Sequence, residues 1–314
     1  MEVWHGPGEV SFQGAMVTLG FFDGVHAGHK ALISGLQGMA QGEGARSVAL
    51  TMWPHPRIVL GKEPGNFRLL TDLDYKLQLL EETGLDAVLI LDFTLELAAL
   101  GAWEFLERLY EALRPKGILM GYDHRFGHGG EGDFPLLQRF GREKGIAVRQ
   151  GDALRIGERE VSSTLVRRTI CQGDMERAAT LLGRDYGFPG VVVPGKQIGR
   201  TIGFPTANIE PSSGWQLLPS YGVYVGYATG CRPGGEEEVM HAIINVGTRP
   251  TVDDSGIPSV EAYFPEFKGD LYGQEMMVYF THKLRDELRF SSLESLREQI
   301  GRDLEDYYAY RRRS

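Results

Sequence analysis

The chain has 314 residues, a length that suggests two domains at about 150 residues each. Its 42 acidic and 33 basic residues leave a formal charge of −9, and 42% of its residues are hydrophobic. That balance describes a globular protein with a sizeable core and excludes disorder, a coiled coil and a disulfide scaffold. An acidic chain also argues against a nonspecific grip on nucleic acid, which needs clustered Lys and Arg. The 42 glycines, about twice the usual share, point to many tight turns or close backbone approaches.

Cys171 and Cys231 lie in different halves and form no CxxC pair, which suggests a reducing compartment and no thiol-zinc site. The first ten residues lack the basic segment and apolar core of a signal peptide. No apolar run approaches the ~20 residues of a membrane helix. The expectation is a soluble cytoplasmic protein.

In chain order, residues 16–22, 47–53, 87–93 and 117–122 read as buried parallel strands. Residues 29–41, 74–83, 102–113 and 134–144 carry apolar positions at three- and four-residue spacing and read as helices. This alternation predicts a doubly wound parallel-sheet α/β domain, in which ligands sit beyond the carboxyl ends of the strands. Two more helices follow, over 164–173 and ending near Gly183. Past Arg184 the helical period fades and strand-like runs take over at 190–193, 222–228, 239–246, 260–264 and 275–280. Turns at Pro194-Gly195, Pro233-Gly234-Gly235 and Lys268-Gly269-Asp270 separate them, which predicts a small closed antiparallel β-barrel. A terminal helix over 293–308 follows the cap residues Ser291 and Ser292. The predicted domains are 1–184 and 185–314.

The first strand runs out into Gly20, Phe21, Phe22, Asp23, Gly24, Val25, His26, Ala27, Gly28 and His29, where a helix begins. Backbone N–H groups at a helix start face an anion, and Gly20 and Gly24 let the backbone come close, so this is a phosphate site. His26 and His29, three residues apart, can both donate to phosphate oxygens as charge builds up. A lone His here would read as a cap or a packed turn residue. Zinc is disfavoured, because third and fourth ligands are not evident.

In the second half, residues 195–208 combine glycines with Lys196 and Arg200, which can wrap phosphates. Thr206 and Asn208 offer two oxygen ligands on one strand face, suited to a hard cation such as Mg²⁺. The stretch is not a Walker loop, and taken alone a glycine-rich polar hairpin explains it equally well.

The His26-Ala27-Gly28-His29 run resembles the HxGH signature of the nucleotidylyltransferase superfamily. Three later segments narrow the resemblance: Thr51 to Pro56, Gly121 to Gly127, and Ser162 to Arg167. In this order they resemble the adenylyltransferase module of bacterial riboflavin kinase/FAD synthetases over residues 14–183. Two positions depart from the family pattern: His124 stands where Phe is commoner, and Met52-Trp53 where Phe-Asp is frequent. Residues 187–308 resemble the family's riboflavin kinase barrel, through Gly203 to Asn208, Asn245 to Thr251, Val260 to Tyr263, Gly269 to Gly273 and Leu284 to Phe290.

The resemblance implies roles for these residues. His26 and His29 would be catalytic, with Gly20, Asp23, Gly24 and His55 on the nucleotide. Ser163, Thr164 and Arg167 would clamp the β- and γ-phosphates, and Asp123 would meet the flavin. In the barrel Thr206 and Asn208 would hold Mg²⁺ and ATP, and Glu261 would be the base, although a strand carboxylate is otherwise a solvated surface residue. Gly199 and Arg200 would form a nucleotide flap, and Arg285, Glu287 and Phe290 would close over flavin. The implied function is phosphorylation of riboflavin to FMN and then adenylylation of FMN to FAD, with ATP as co-substrate. An adenylyltransferase with a non-catalytic, flavin- or nucleotide-binding regulatory barrel is the alternative. Riboflavin, FMN and ATP would be its partners, with no nucleic acid and no membrane. The chain would be a monomer or a weak homo-oligomer.

Overall fold

The structure is a computed structural model that describes residues 1–61, 67–195, 199, 202–231, 237–248 and 258–313. The chain forms two compact units, Met1–Ser163 and Thr164–Ser314.

The first unit runs β1 (Glu2–His5), β2 (Met16–Leu19), α1 (Ala27–Gly42), β3 (Ser47–Trp53), α2 (Pro56–Val59), α3 (Leu73–Glu81), β4 (Ala87–Asp92), α4 (Leu95–Ala99), α5 (Ala102–Leu113), β5 (Gly117–Met120), α6 (Phe134–Lys144) and β6 (Ala147–Gln150), then a small hairpin of β7 (Arg155–Ile156) and β8 (Arg159–Glu160). Six strands form one parallel sheet in the order β1-β4-β3-β2-β5-β6. The chain leaves β2 toward β3 on one side and returns to β5 on the other, so the strand order reverses at β2. A crevice opens there beyond the carboxyl ends, the usual ligand position in such sheets.

The four central strands β2, β3, β4 and β5 match the sequence expectation because both their faces are buried and their sequences are nearly continuous apolar runs. Strands β1 and β6 lie at the two edges, are largely exposed, and lack such a run, so their sequences do not announce them. Strand β2 stops at Leu19, short of the expected residue 22, because Phe22 turns into the left-handed region with φ 50°. Val17, Leu50, Leu89, Ile118, Leu106 and Phe140 form part of a core closed to solvent.

The second unit begins with α7 (Ser163–Cys171) and α8 (Met175–Leu182), followed by β9 (Tyr186–Val193), β10 (Thr206–Pro211), β11 (Gly222–Cys231), β12 (Glu237–Thr248), β13 (Pro258–Tyr263), β14 (Glu275–Asp286) and α9 (Leu293–Arg311). The six strands close into a barrel in the order β10-β13-β12-β11-β14-β9, with antiparallel pairing throughout. Closure removes the exposed edges of a free sheet. Tyr186, Phe188, Tyr224 and Phe280 fill it. The two units divide at Ser163/Thr164, ahead of residue 184, because α8 packs on β14 and β9 of the barrel. Helix α9 starts at Ser292, whose hydroxyl accepts from the Ser295 N–H at 3.2 Å in a capping box.

Candidate active sites

The segment between β2 and α1 is fixed by buried polar contacts. Asp23, 4% exposed, accepts from the backbone N–H groups of Leu70 (3.0 Å) and Thr71 (3.2 Å) through Oδ1. The Gly24 N–H donates to Thr71 Oγ1 at 3.1 Å, and Ser163 Oγ donates to the Asp23 carbonyl at 3.0 Å. Phe22 (φ 50°), Gly24 (φ 82°) and Val25 (φ 36°) all sit in the left-handed region. Two such non-glycine residues in four positions store backbone strain, a feature concentrated at ligand-binding turns.

This strained turn delivers His26 as the N-cap of α1, where its Nδ1 accepts from the His29 N–H at 3.3 Å. The rings of His26 and His29 stack, with centroids 3.6 Å apart and planes 15° from parallel, and Phe22 packs edge-on against His29 at 5.2 Å. Both imidazoles therefore stand at the positive end of a 16-residue helix, beyond the carboxyl end of β2. That is an arrangement for stabilising charge on a phosphate.

A cavity of about 500 Å³ opens beside it beyond strands β2 to β5, lined by Gly20, Phe21, Met52, Phe93, His124 and Phe126 among others. Burial pushes His124 down to about 4, so it stands there as a neutral ring. His55 caps α2 by accepting from the Arg57 N–H at 3.2 Å, and its ring meets Phe21 (5.0 Å) and Phe67 (4.7 Å). Asp123 is exposed beyond β5. Thr164 and Arg167 lie on α7, at the start of the second unit.

One buried residue escapes sequence reasoning. Lys76, 3% exposed, reaches Phe21 O at 3.3 Å and Thr51 Oγ1 at 3.4 Å, and lies over the Trp53 ring at 5.2 Å. Burial pulls its ammonium down to about 8 while Asp23 opposes the shift. The available signal was a charge in an apolar stripe, since Leu79 and Leu80, three and four positions on, are buried too.

In the barrel, β10 and β12 both flank β13, and the register sets Glu261 opposite Asn208 on one side and Asn245 on the other. Thr206 Oγ1 donates to Glu261 Oε2 at 3.1 Å. A cavity of about 290 Å³ is lined by Gly199, Thr206, Glu261, Arg285, Glu287 and Phe290 together with residues of α9. A second cavity, of about 510 Å³, is lined by Pro205, Thr206, Lys268, Asp270 and Tyr272. Thr206 lines both. Gly199 lies so close to the Phe204 carbonyl that no Cβ would fit.

The structure thus gathers six of the residues singled out in the barrel around one cavity. Asn208, and Arg285 among those six, have other neighbours as well. The Asn208 side chain lies against the backbone of Gly195 rather than in the wall of that cavity. Arg285 lines the cavity, but its guanidinium is taken up by Asp303 of α9 (Nε–Oδ1 2.8 Å, Nη2–Oδ2 2.8 Å). Arg200 and Lys196 lie outside the described residues, as do positions 249–251. Among the described residues no three His, Cys, Asp or Glu side chains gather as a metal site. A cation in the barrel would rest on neutral oxygens such as Thr206 Oγ1 and on substrate phosphates, a donor set that suits Mg²⁺.

The chain matches the family model described as FAD synthetase over residues 9–165, and that described as riboflavin kinase over residues 182–310. A curated relative from Escherichia coli (strain K12), a bifunctional riboflavin kinase/FMN adenylyltransferase, is 38% identical over 301 residues, 95% of this chain and 93% of its own. Relatives with the same description from Listeria monocytogenes (34% identical, 94% of this chain and 92% of the relative) and Bacillus subtilis (30%, 94% and 92%) are also similar. A solved structure from Streptococcus pneumoniae, described as a macrolide-efflux protein, matches with a TM-score of 0.85 at 28% identity, covering 96% of this chain and 97% of that one. Among the described residues, no helix of this chain is long and apolar enough to cross a membrane.

Proposed function

The chain belongs to the family of bifunctional riboflavin kinase/FMN adenylyltransferases, making it an FAD synthetase, and from that premise we propose how its residues divide the two reactions. Residues 185–314 phosphorylate riboflavin and residues 1–184 adenylylate the FMN formed. The observation that carries the barrel assignment is the Thr206–Glu261 hydrogen bond where two cavities meet at Thr206.

Riboflavin occupies the 290 Å³ cavity, with Phe290 and Glu287 beside it, and the nucleotide occupies the 510 Å³ cavity. Glu261 takes the proton of the ribityl 5′-hydroxyl as that oxygen attacks the γ-phosphorus of ATP, leaving FMN and ADP. Thr206 orients the carboxylate and faces the phosphates, and Gly199 lets the backbone approach them. Mg²⁺, when held by Thr206 and Asn208 with the phosphates, supplies charge neutralisation.

In the first unit the FMN phosphate attacks the α-phosphorus of a second ATP, and pyrophosphate leaves. The nucleophile is already ionised at neutral pH, so no general base is needed. His26, His29 and the N-terminus of α1 stabilise the crowded charge, with Asp23 and Gly24 holding the turn that aims them. Ser163, Thr164 and Arg167 engage the outer phosphates, an Arg offering several donors in a fixed fork. The apolar 500 Å³ cavity, with neutral His124, takes an aromatic ring, and His55 and Asp123 lie at its approaches.

The same reading makes the protein cytoplasmic, monomeric or weakly self-associating, and without a nucleic-acid or membrane partner, in keeping with its net charge of −9. A time course with riboflavin, ATP and Mg²⁺ tests the division. FMN rising first and FAD following supports it. FAD formed only from supplied FMN would instead make the barrel a regulatory module.

A further inference from the structure

Helix α9 presents Leu296, Ile300 and Asp303 to the 290 Å³ cavity, positions spaced i, i+4 and i+7 on one helical face. An aspartate in that stripe is unusual, and Asp303 is 3% exposed. A carboxylate so deeply buried needs partners, and it has two. Arg285 of β14 grips it with two parallel N–H donors at 2.8 Å, and Gln299 Nε2 donates to Oδ1 at 2.8 Å. Arg302 in turn donates to Gln299 Oε1 through Nη2 at 2.8 Å, which orients the amide. A third Arg285 donor, Nη1, goes to the Asp286 carbonyl at 2.9 Å.

This fork fastens the helix to the barrel at the cavity. One turn further on, Tyr307 packs among Val223, Val225 and Ile243 and anchors the same face. The apolar anchor secures α9 in general, whereas the fork fixes where its Leu296–Ile300 edge stands relative to Glu261 and Thr206.

We propose that Asp303 is a positioning residue of the kinase site, holding α9 as one wall of the riboflavin cavity through the bidentate Arg285–Asp303 pair. Arg285 then acts through the helix rather than on the reacting atoms. The inference rests on the reading of this cavity as the riboflavin site.

The test uses the full chain and the variants Asp303→Asn, Asp303→Ala, Arg285→Ala and the Arg285→Ala/Asp303→Ala double. FMN formation gives KM for riboflavin and kcat, and riboflavin fluorescence titration without ATP gives binding. Removing one partner of a buried paired charge should raise riboflavin KM about 10- to 100-fold, with kcat at saturation changed by no more than about twofold. The double variant should be no worse than Arg285→Ala, since both act through one contact. Asp303→Asn keeps the shape and one acceptor, so it should fold and fall between parent and Asp303→Ala. FAD formation from supplied FMN reports that the chain remains intact. Unchanged riboflavin KM in Asp303→Asn and Asp303→Ala, additive losses in the double variant, or a fall in kcat at constant KM would each overturn the inference. Phe290→Ala separates the two possible failures. If it too leaves KM unchanged, the cavity is not the riboflavin site; if it raises KM while the Asp303 variants do not, only the positioning role fails.

Discussion

Thr206 Oγ1 stands 3.1 Å from Glu261 Oε2, across the β10–β13 pairing that also sets Asn208 opposite Glu261. A hydroxyl that donates to a carboxylate fixes its orientation and leaves the second oxygen, Oε1, to accept a proton from a substrate hydroxyl. Glu261→Gln keeps the shape and removes the basicity. Its kcat for FMN formation should fall by about 10²- to 10⁴-fold, the usual contribution of a positioned base. FAD formation from supplied FMN should be untouched. A kinase rate equal to the parent's would remove Glu261 from the role of base.

On the proposed division, the stacked pair His26 and His29 serves the other reaction. His29→Ala removes one donor from the helix start while His26, the N-cap, stays in place. Loss of one preorganised donor to a charged transition state costs about 10²- to 10³-fold in kcat. In a reaction started from riboflavin, FMN should accumulate at the parent rate and FAD should lag. Equal loss of both products would mean that the two reactions share a site.

The sequence disclosed most where burial is two-sided or geometry is local. The ranges of α5 and α6 agree with the predicted ones because each buries one apolar stripe, and α6 also starts and stops on clear signals, Asp133 capping it and Gly145 ending it at φ 69°. The edge strands β1 and β6 have partners on one side only and so no apolar run. Residues Gly20, Asp23, Gly24, His26 and His29 can be singled out together because they fall within one ten-residue segment. Lys76 and Asp303 were not, because their meaning comes from distant partners: Phe21 and Thr51 for the lysine, Arg285 for the aspartate. Each looked like an ordinary charge on a helix. The stripe spacing is readable, but only the fold supplies the partner that accounts for a charge within it.

Gly24 tests how far the proposed phosphate-binding turn depends on its backbone. At φ 82° an L side chain is strained, and a Cβ would stand 2.7 Å from Leu70 Cδ1. Gly24→Ala should cost about 1–3 kcal/mol locally and slow FAD formation about tenfold or more. The kinase should be unaffected. Gly38, exposed within α1 with nothing within 4 Å of its Cβ position, is the control. Gly38→Ala should leave both activities alone and stabilise the unit by up to about 1 kcal/mol. Product chromatography and urea unfolding read both effects, and indifference at Gly24 would mean the turn tolerates rearrangement.

Lys76 gives the first unit a defined pH dependence. The group titrates near 10.5 in the unfolded chain and at about 8 in the folded one, because burial disfavours its charge. Below pH 8 both states hold the proton, and the folded state bears the whole desolvation cost. Between pH 8 and 10.5 the unfolded chain binds more protons, so folding becomes more favourable as pH rises. The difference corresponds to about 3 kcal/mol. Lys76→Met lacks this titration, so the stability of the parent relative to the variant should climb toward that figure between pH 7 and pH 10, whatever the variant's own baseline. Urea unfolding followed by tryptophan fluorescence measures it, since Trp4, Trp53 and Trp103 lie in the first unit and Trp215 alone in the second. A parent–variant difference that stays flat from pH 7 to pH 10 would mean that Lys76 keeps its proton beneath the turn, held there by Asp23 more strongly than burial opposes it.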